Sequence, residues 1–363
     1  MKILLIGFTK FKYMPYMHFY LDRIPHITHD IHISCWNRDG LPDTPAPNEI
    51  TPHVFYSVVM DEAPKRMKLF AFIAYRKFVL AIMNQFQFDR IIVLHSLPGL
   101  LVYEQLVGKY KNKYLLDYRD HTYETNHFFQ KAVSSLVRNS FATFVSSKSY
   151  LKYLPQLDKI HISHNVLTDS LNYRNIGKLR DESPIVISFW GLIRHYRVNE
   201  QIIKQISNEK RFELHYYGRE QDIAQRLKEL TVTLGSANVF FHGEYKPADR
   251  YTFAGSTSLL HNIYDADDVN TNMAMGNKYY DGIVFGIPQL CTKGSYMGIT
   301  VSEGGVGLPC DPYDSSFLDA VHHYYTSLNR EVFLAACEKQ IAWILQDLAK
   351  ADEVVSGFVG GGD

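Results

Sequence analysis

The stretch that decides how this chain is read is Gly276-Asn277-Lys278-Tyr279-Tyr280-Asp281-Gly282-Ile283-Val284-Phe285-Gly286-Ile287-Pro288-Gln289-Leu290. Gly286 stands where a helix ends in a left-handed residue, Pro288 cannot continue a helix, and Gln289 opens a short apolar run. The pattern is helix, tight turn, strand. Outward from it, short apolar runs alternate with longer helical patterns, the rhythm of a parallel α/β sheet. Strands are expected at 185–190, 212–217, 239–242, 259–263 and 289–292 in the second half. In the first half they are expected at 2–6, 31–35, 90–94, 114–116 and 142–145. Residues 166–184 are polar, hold Gly177 and end in Asp181-Glu182-Ser183-Pro184, which reads as a linker.

A chain of 363 residues exceeds one ordinary hydrophobic core, so two α/β domains with a cleft between them are expected. Hydrophobic residues at 46% and charged residues at 21% describe a chain that folds. The formal net charge is zero, which gives no reason to expect nucleic acid as a partner. The charge is nevertheless uneven. Up to Asn165 there are 20 Lys and Arg against 13 Asp and Glu, leaving 18 against 25 beyond it. Cys35, Cys291, Cys310 and Cys337 are far apart with no CxxC pair, the pattern of reduced thiols. The start MKILLIGFT lacks a signal-peptide layout and no uninterrupted apolar run is long enough to span a bilayer, so a soluble or peripheral protein is expected. The tail GFVGGGD reads as a flexible end.

Asp281, preceded by Asn277-Lys278 and followed five residues later by Gly286-Ile287-Pro288, gives a segment that resembles the GT-B glycosyltransferases related to family 4. Their second domain has a helix patterned N-K-x-x-E/D followed by Gly-x-Pro. The resemblance implies that Asp281 accepts hydrogen bonds from the donor ribose, with Asn277 and Lys278 also on the donor side. A carboxylate has the acceptor capacity for both ribose hydroxyls. Two departures stand out: the family commonly has Glu at the position of Asp281, and another Glu where this chain has Met273.

A second match opens the back domain with Ile185-Val186-Ile187-Ser188-Phe189-Trp190-Gly191-Leu192-Ile193-Arg194-His195-Tyr196-Arg197. It resembles the family's strand and Gly turn, and implies that Arg197, six residues after Gly191, binds the donor diphosphate. Arg194 is the nearest substitute for the Arg that often follows the Gly. Fixed guanidinium donors and a helix start can stabilise a departing diphosphate without a metal. By the same resemblance, Gly218 ends a strand beside the base, and Tyr245 faces it.

In the front domain, Leu116-Asp117-Tyr118-Arg119-Asp120-His121 resembles the D-x-R-D loop of some family members. It implies that Asp120 orients acceptor or donor sugar, His121 makes a polar contact and Arg119 pairs with a carboxylate. The alternative is a self-satisfied Asp117-Arg119-Asp120 salt-bridge loop. Ser146, Ser147 and Asn165 resemble the strand-end serine and the turn before the linker, here without its Pro and Gly. Among 16 histidines there is no HExxH, and Asp265-Ala266-Asp267-Asp268 is a poor echo of the DxD of metal-dependent transferases, so no metal or cofactor is expected. The first strand leads into Gly7-Phe8-Thr9-Lys10 rather than GxGxxG, which disfavours a dinucleotide oxidoreductase.

Residues 63–88 place Lys65, Arg66, Lys68, Arg76 and Lys77 among Leu69, Phe70, Phe72, Ile73 and Phe78 with no acidic residue. Two readings are open: a core helix with snorkelling cations, or a helix that docks on an anionic membrane surface. The resemblance implies a GT-B glycosyltransferase with two facing Rossmann-like domains. The first (1–165) serves the acceptor, a linker follows (166–184), and the second (185–330) holds a nucleotide-sugar donor. The C-terminal segment (331–363), with a helix at 331–348, returns to the first domain. The resemblance implies retention of anomeric configuration, a saccharide or lipid-linked acceptor, a bacterial surface-polysaccharide setting, and a place in the cytoplasm or on the inner face of its membrane. The rivals are a nucleotide-sugar epimerase of similar layout and a non-catalytic nucleotide-sugar binding subunit.

Overall fold

The computed structural model describes residues 1–59, 64–166, 168–177, 179, 184–265 and 267–361. The chain divides into two compact units, Met1–His164 with Gln346–Asp363, and Asn165–Leu345. Unit 1 holds a seven-stranded sheet of β1 (Lys2–Ile6), β2 (Asp30–Asn37), β3 (Ile50–Tyr56), β4 (Arg90–Leu94), β5 (Tyr114–Tyr118), β6 (Ala142–Val145) and β7 (Ile160–Ile162). Its order is β3-β2-β1-β4-β5-β6-β7, every pair parallel. Unit 2 holds β8 (Ile185–Trp190), β9 (Phe212–Tyr217), β10 (Val239–Phe241), β11 (Leu259–Asn262), β12 (Gln289–Thr292) and β13 (Gly307–Cys310). Their order is β10-β9-β8-β11-β12-β13, again parallel.

The inner strands are buried on both faces, β1 and β4 at every position but the first and β5 throughout, which is why their sequences are unbroken apolar runs. Three strands escaped the sequence reading, and all three are sheet edges. β3 contains Pro52 and β13 contains Pro309, tolerated where a missing N–H costs no ladder bond. β7 is three half-buried residues.

Much of the expected linker is bonded to unit 2. Asn175 and Gly177 donate to the carbonyls of Val284 and Phe285 at 2.9 and 2.8 Å, and Tyr173 stacks on Tyr251 with ring centroids 3.6 Å apart. Leu167, Lys178 and 180–183 of that linker lie outside the described residues. The last helix runs from Arg330 to Gly360, well beyond the expected 348. Phe333, Cys337 and Ile341 are buried in its first half, while Ala351, Val355 and Phe358 join the unit 1 core with Ile3, Ile33 and Leu94. The tail read as flexible is therefore helical through Gly360. Apolar burial of Phe358, whose carbonyl accepts from Arg90 at 3.1 Å, outweighs the poor helix propensity of its glycines.

The basic stretch forms the helix Lys65–Phe86, and Ala63 of the expected span lies outside the described residues. It buries Ala71, Tyr75, Val79, Ile82 and Met83. Tyr75 stacks on Trp36 at 5.3 Å and Phe78 packs on Phe55 at 5.4 Å, so this helix covers one face of β2 and β3.

Candidate functional site

In unit 2 the strand order reverses between β8 and β11, the place where open α/β sheets bind ligands at strand carboxyl ends. Gly191 ends β8 with φ 127° and donates to the carbonyl of Tyr217 at 2.9 Å. Gly218 ends β9 so close to it that an added Cβ would lie 1.7 Å from the Gly191 oxygen. Only glycine lets these two turns close.

The loop beyond Gly191 leads into the helix Tyr196–Ile206 through His195, a non-glycine residue at φ 64°. Backbone strain of this kind persists only where neighbours over-determine it. Here the neighbour is buried Asn199. Its amide donates to the carbonyls of Arg194 and His195 at 2.8 and 2.9 Å. Its oxygen accepts from the Tyr216 hydroxyl at 2.8 Å and from His261 Nε2 at 3.0 Å. His261 Nδ1 accepts from the Ile263 N–H at 3.1 Å, which fixes a neutral ring protonated at Nε2. Burial, with Lys278 and His195 nearby, holds the His261 pKa down at about 3.

Lys278 is the second residue of the helix Asn277–Phe285 and only 8% exposed. Its ammonium lies 3.9 Å from the Phe189 ring centroid and 4.9 Å from that of Tyr264. Among the described residues it has no hydrogen-bond or carboxylate partner. Burial, then repulsion from Arg194, pull its pKa down to about 7 against the attraction of Asp281. Arg194 is exposed and has no carboxylate partner among the described residues. His195 Nδ1 faces Asp265 at 3.6 Å, while its Nε2 is buried without a hydrogen bond. Gly276 leaves the start of the Asn277–Phe285 helix without a side-chain cap, and Asn277 there is exposed. A buried unpaired cation is costly, and here it converges with a second cation and a positive helix end, an arrangement that an anion would complete.

Asp281, which the resemblance makes the ribose acceptor, has its carboxylate already engaged within unit 2. It is 5% exposed, with Arg250 Nη1 3.0 Å from each carboxylate oxygen and Trp190 Nε1 donating to Oδ2 at 2.8 Å. Burial pushes its pKa up, opposed by Arg250 and Trp190. The surroundings are Phe253, Val284 and Phe285, so the carboxylate is neutralised from within and ties its helix to β8. Arg197 is brought elsewhere: its side chain is 77% exposed and pairs with Asp267 at 3.6 Å. Tyr245 packs edge-on against Phe253 at 5.3 Å, and burial raises its hydroxyl to about 12. Asp268 caps the short helix Val269–Met273. Among the described residues no group of three or more His, Cys, Asp or Glu is placed to hold a metal.

In unit 1, Asp117 is fully buried and pairs with Arg119 at 2.8 Å; the Arg119 guanidinium also lies 4.7 Å from the Tyr16 ring centroid. His121 turns inward, against Tyr153 at 4.6 Å and 3.9 Å from Glu124. Asp120 alone of the loop is exposed, at 55%, and its carboxylate is 3.7 Å from Nε2 of His95. The D-x-R-D loop is thus part buried pair and part exposed carboxylate. His95 follows β4 with φ 94° and its Nδ1 accepts from the Leu97 N–H. Ser146 Oγ donates to the Arg119 carbonyl at 2.8 Å, and Ser147 caps the 3-10 turn Lys148–Tyr153.

Sequence reasoning missed His195, Asn199, Arg250, Trp190 and His95. The two histidines stand one residue beyond expected features, but nothing in composition marks a left-handed backbone.

No protein-family model matches the chain, and no curated protein matches it in sequence. Solved structures do. HepE of Anabaena, in complex with UDP and glucose, aligns at TM-score 0.66 and 13% identity over 99% of both chains. WaaG, a glycosyltransferase involved in lipopolysaccharide biosynthesis, aligns at TM-score 0.60 and 12% identity over 100% of both. A putative UDP-N-acetylglucosamine 2-epimerase from Listeria monocytogenes aligns less well, at TM-score 0.51 and 12% identity, over 98% of this chain and 90% of its own. With strand orders and neighbours taken together, the chain has the GT-B fold, two Rossmann-like α/β domains.

Proposed function

We propose that the chain is a glycosyltransferase that moves a sugar from a nucleotide-diphosphate-sugar donor to a saccharide acceptor, free or lipid-linked. The setting would be the assembly of a bacterial surface polysaccharide such as capsule or lipopolysaccharide. The observation that carries this reading is the buried Lys278, without a carboxylate partner among the described residues, beside Arg194, the Gly191 turn and an uncapped helix start. In the reaction the bond between the anomeric carbon and the donor's terminal phosphate oxygen breaks, and a bond to an acceptor hydroxyl oxygen forms. With retention, the hydroxyl proton passes to the departing diphosphate on the same face. Negative charge grows on that diphosphate, and Lys278, Arg194 and the helix end can stabilise it without a metal.

The donor role falls to the second domain and the acceptor role to the first, where Asp120 and His95 can orient a sugar hydroxyl. Asp281 and Asn199 are positioning residues in this account, and Arg197 has no part in it. The protein would work in the cytoplasm, or at the inner face of the membrane when the acceptor is lipid-linked.

A thermal-shift screen of nucleoside diphosphates, beginning with uridine diphosphate because HepE binds it, tests the reading. Ligand at 100 times its Kd should stabilise the fold by about 2.7 kcal/mol. The matching nucleotide-sugar should then turn over only when an acceptor is supplied. No stabilisation by any nucleoside diphosphate would overturn the proposal. Turnover without acceptor would favour an epimerase, and binding without turnover across an acceptor panel would favour a binding subunit.

A further inference from the structure

The helix Lys65–Phe86 has two apolar faces, and unit 1 uses only one. Ala71, Tyr75, Val79 and Ile82 recur at helical spacing and are buried against β2 and β3. On the opposite side, at 100° per residue, Arg66, Phe70, Ile73 and Lys77 form a second stripe. Phe70 is 70% exposed and Ile73 43%, with Leu69 (60%) and Met67 (55%) beside them. Large aromatic and aliphatic side chains contiguous on one exposed face mark an interaction surface.

The charges say which kind. Arg66 and Lys77 are exposed at the two ends of the stripe and have no carboxylate partner among the described residues. Arg76, by contrast, is held by Glu104 at 3.1 Å and the Leu101 carbonyl at 2.8 Å. The helix contains no Asp or Glu; Asp61 and Glu62, which precede it in sequence, lie outside the described residues. An apolar stripe bracketed by cations complements the boundary of an anionic bilayer, where acyl chains take the apolar groups and headgroups the cations.

We infer that this helix lies flat in the surface of an anionic membrane, with Phe70 and Ile73 inserted among the acyl chains and Arg66 and Lys77 at the headgroups. The Arg66–Phe86 stretch is long and apolar enough to cross a membrane by length and composition. Crossing would strip Tyr75 and Phe78 from Trp36 and Phe55, so docking on the surface is the mode that keeps the unit 1 core intact. The inference is independent of the sugar-transfer reading.

The test uses the full chain and co-sedimentation with vesicles of phosphatidylglycerol and phosphatidylcholine, against phosphatidylcholine alone, over a salt series. Wild type should bind the anionic vesicles at low salt and be released as salt rises. Arg66→Gln with Lys77→Gln should weaken that binding about 30-fold, from about 1 kcal/mol per cation. Phe70→Ser with Ile73→Ser should weaken it at least tenfold in a protein whose melting temperature is unchanged. Equal binding by wild type and both variants, or no binding to anionic vesicles at low salt, overturns the inference. So does an exposed face that proves to join two copies of the chain, seen as a dimer mass that Phe70→Ser alone abolishes while vesicles capture nothing.

Discussion

The first six strands of unit 1 and the six of unit 2 follow the same order, and the return from the edge strand is one place where the units part. From its edge strand, unit 1 returns to β4 through the 22-residue helix Lys65–Phe86; unit 2 returns from β10 to β11 through Pro247–Asp249 and Arg250–Ala254. The strands beneath carry the same chain of side chains. In unit 1, His32 bonds His53 at 2.8 Å and Asp30 at 3.1 Å; in unit 2, His215 bonds His242 at 2.9 Å and Glu213 at 3.2 Å. Phe86 closes over the first set, 4.7 Å from His32, whereas His242 stays exposed. One plan therefore yields two surfaces: a helix that shows apolar side chains outward, and a short connection whose Arg250 is spent on Asp281.

Cations follow the same contrast. Unit 1 buries Lys10 against Asp39 and Arg119 against Asp117. Unit 2 buries Arg250 against Asp281, and Lys278 beside aromatic rings with no carboxylate partner among the described residues. The half with excess basic residues thus neutralises its buried cations, and the acidic half keeps the unpaired one. Net charge counts solvated groups and says little about a buried site.

The comparison breaks most visibly at the buried pairs. Asp281→Ala and Asp117→Ala each take the carboxylate away from a buried guanidinium and should cost about 3–5 kcal/mol in urea unfolding. If Asp281→Ala kept full stability and lost only nucleotide affinity, its carboxylate would be a ribose ligand after all.

Lys278→Met should act with the opposite sign, stabilising the fold by about 1–4 kcal/mol at pH 6 while removing nucleotide binding. The sign follows from linkage. The folded pKa of about 7 lies below the ordinary 10.5, so the unfolded chain binds more protons between those values. Wild-type stability from this group rises across that window, and the variant's advantage shrinks with it. An advantage independent of pH would show that the ammonium is not buried.

Gly218→Ala puts a methyl into the Gly191 carbonyl and should cost about 1–3 kcal/mol, with weaker nucleotide binding as the two turns separate. Arg197→Ala should be the mildest, within about 0.5 kcal/mol in stability because its ion pair is exposed, and with donor affinity changed less than about threefold. Arg194→Ala should cost about tenfold in affinity, roughly 1.4 kcal/mol, by calorimetry. A reversal of that order would restore the six-residue spacing from Gly191 as the guide to the diphosphate.

The fold was legible because its inner strands are apolar on both faces, and the Gly286-Ile287-Pro288 turn has the predicted form: the helix ends at Phe285, Gly286 takes φ 67° and β12 begins at Gln289. Edge strands were illegible because Pro52 and Pro309 argue against strands everywhere except at an edge. In the site, spacing marked Gly191 and Lys278 but not which way Arg197 or Asp281 faces. The partner of Asp281 is 31 residues away on another element, a distance that no local pattern encodes.

Whether Lys278 is the ammonium that meets the donor diphosphate is decided by calorimetric titration of uridine diphosphate into wild type and Lys278→Gln between pH 7.5 and 9. Over that range the ligand's phosphate is already fully ionised, its last pKa being about 6. Wild-type affinity should fall with pH, approaching tenfold per unit as the ammonium deprotonates, while Lys278→Gln binds weakly and without this slope. Equal affinity and an equal pH profile for the two proteins would contradict it.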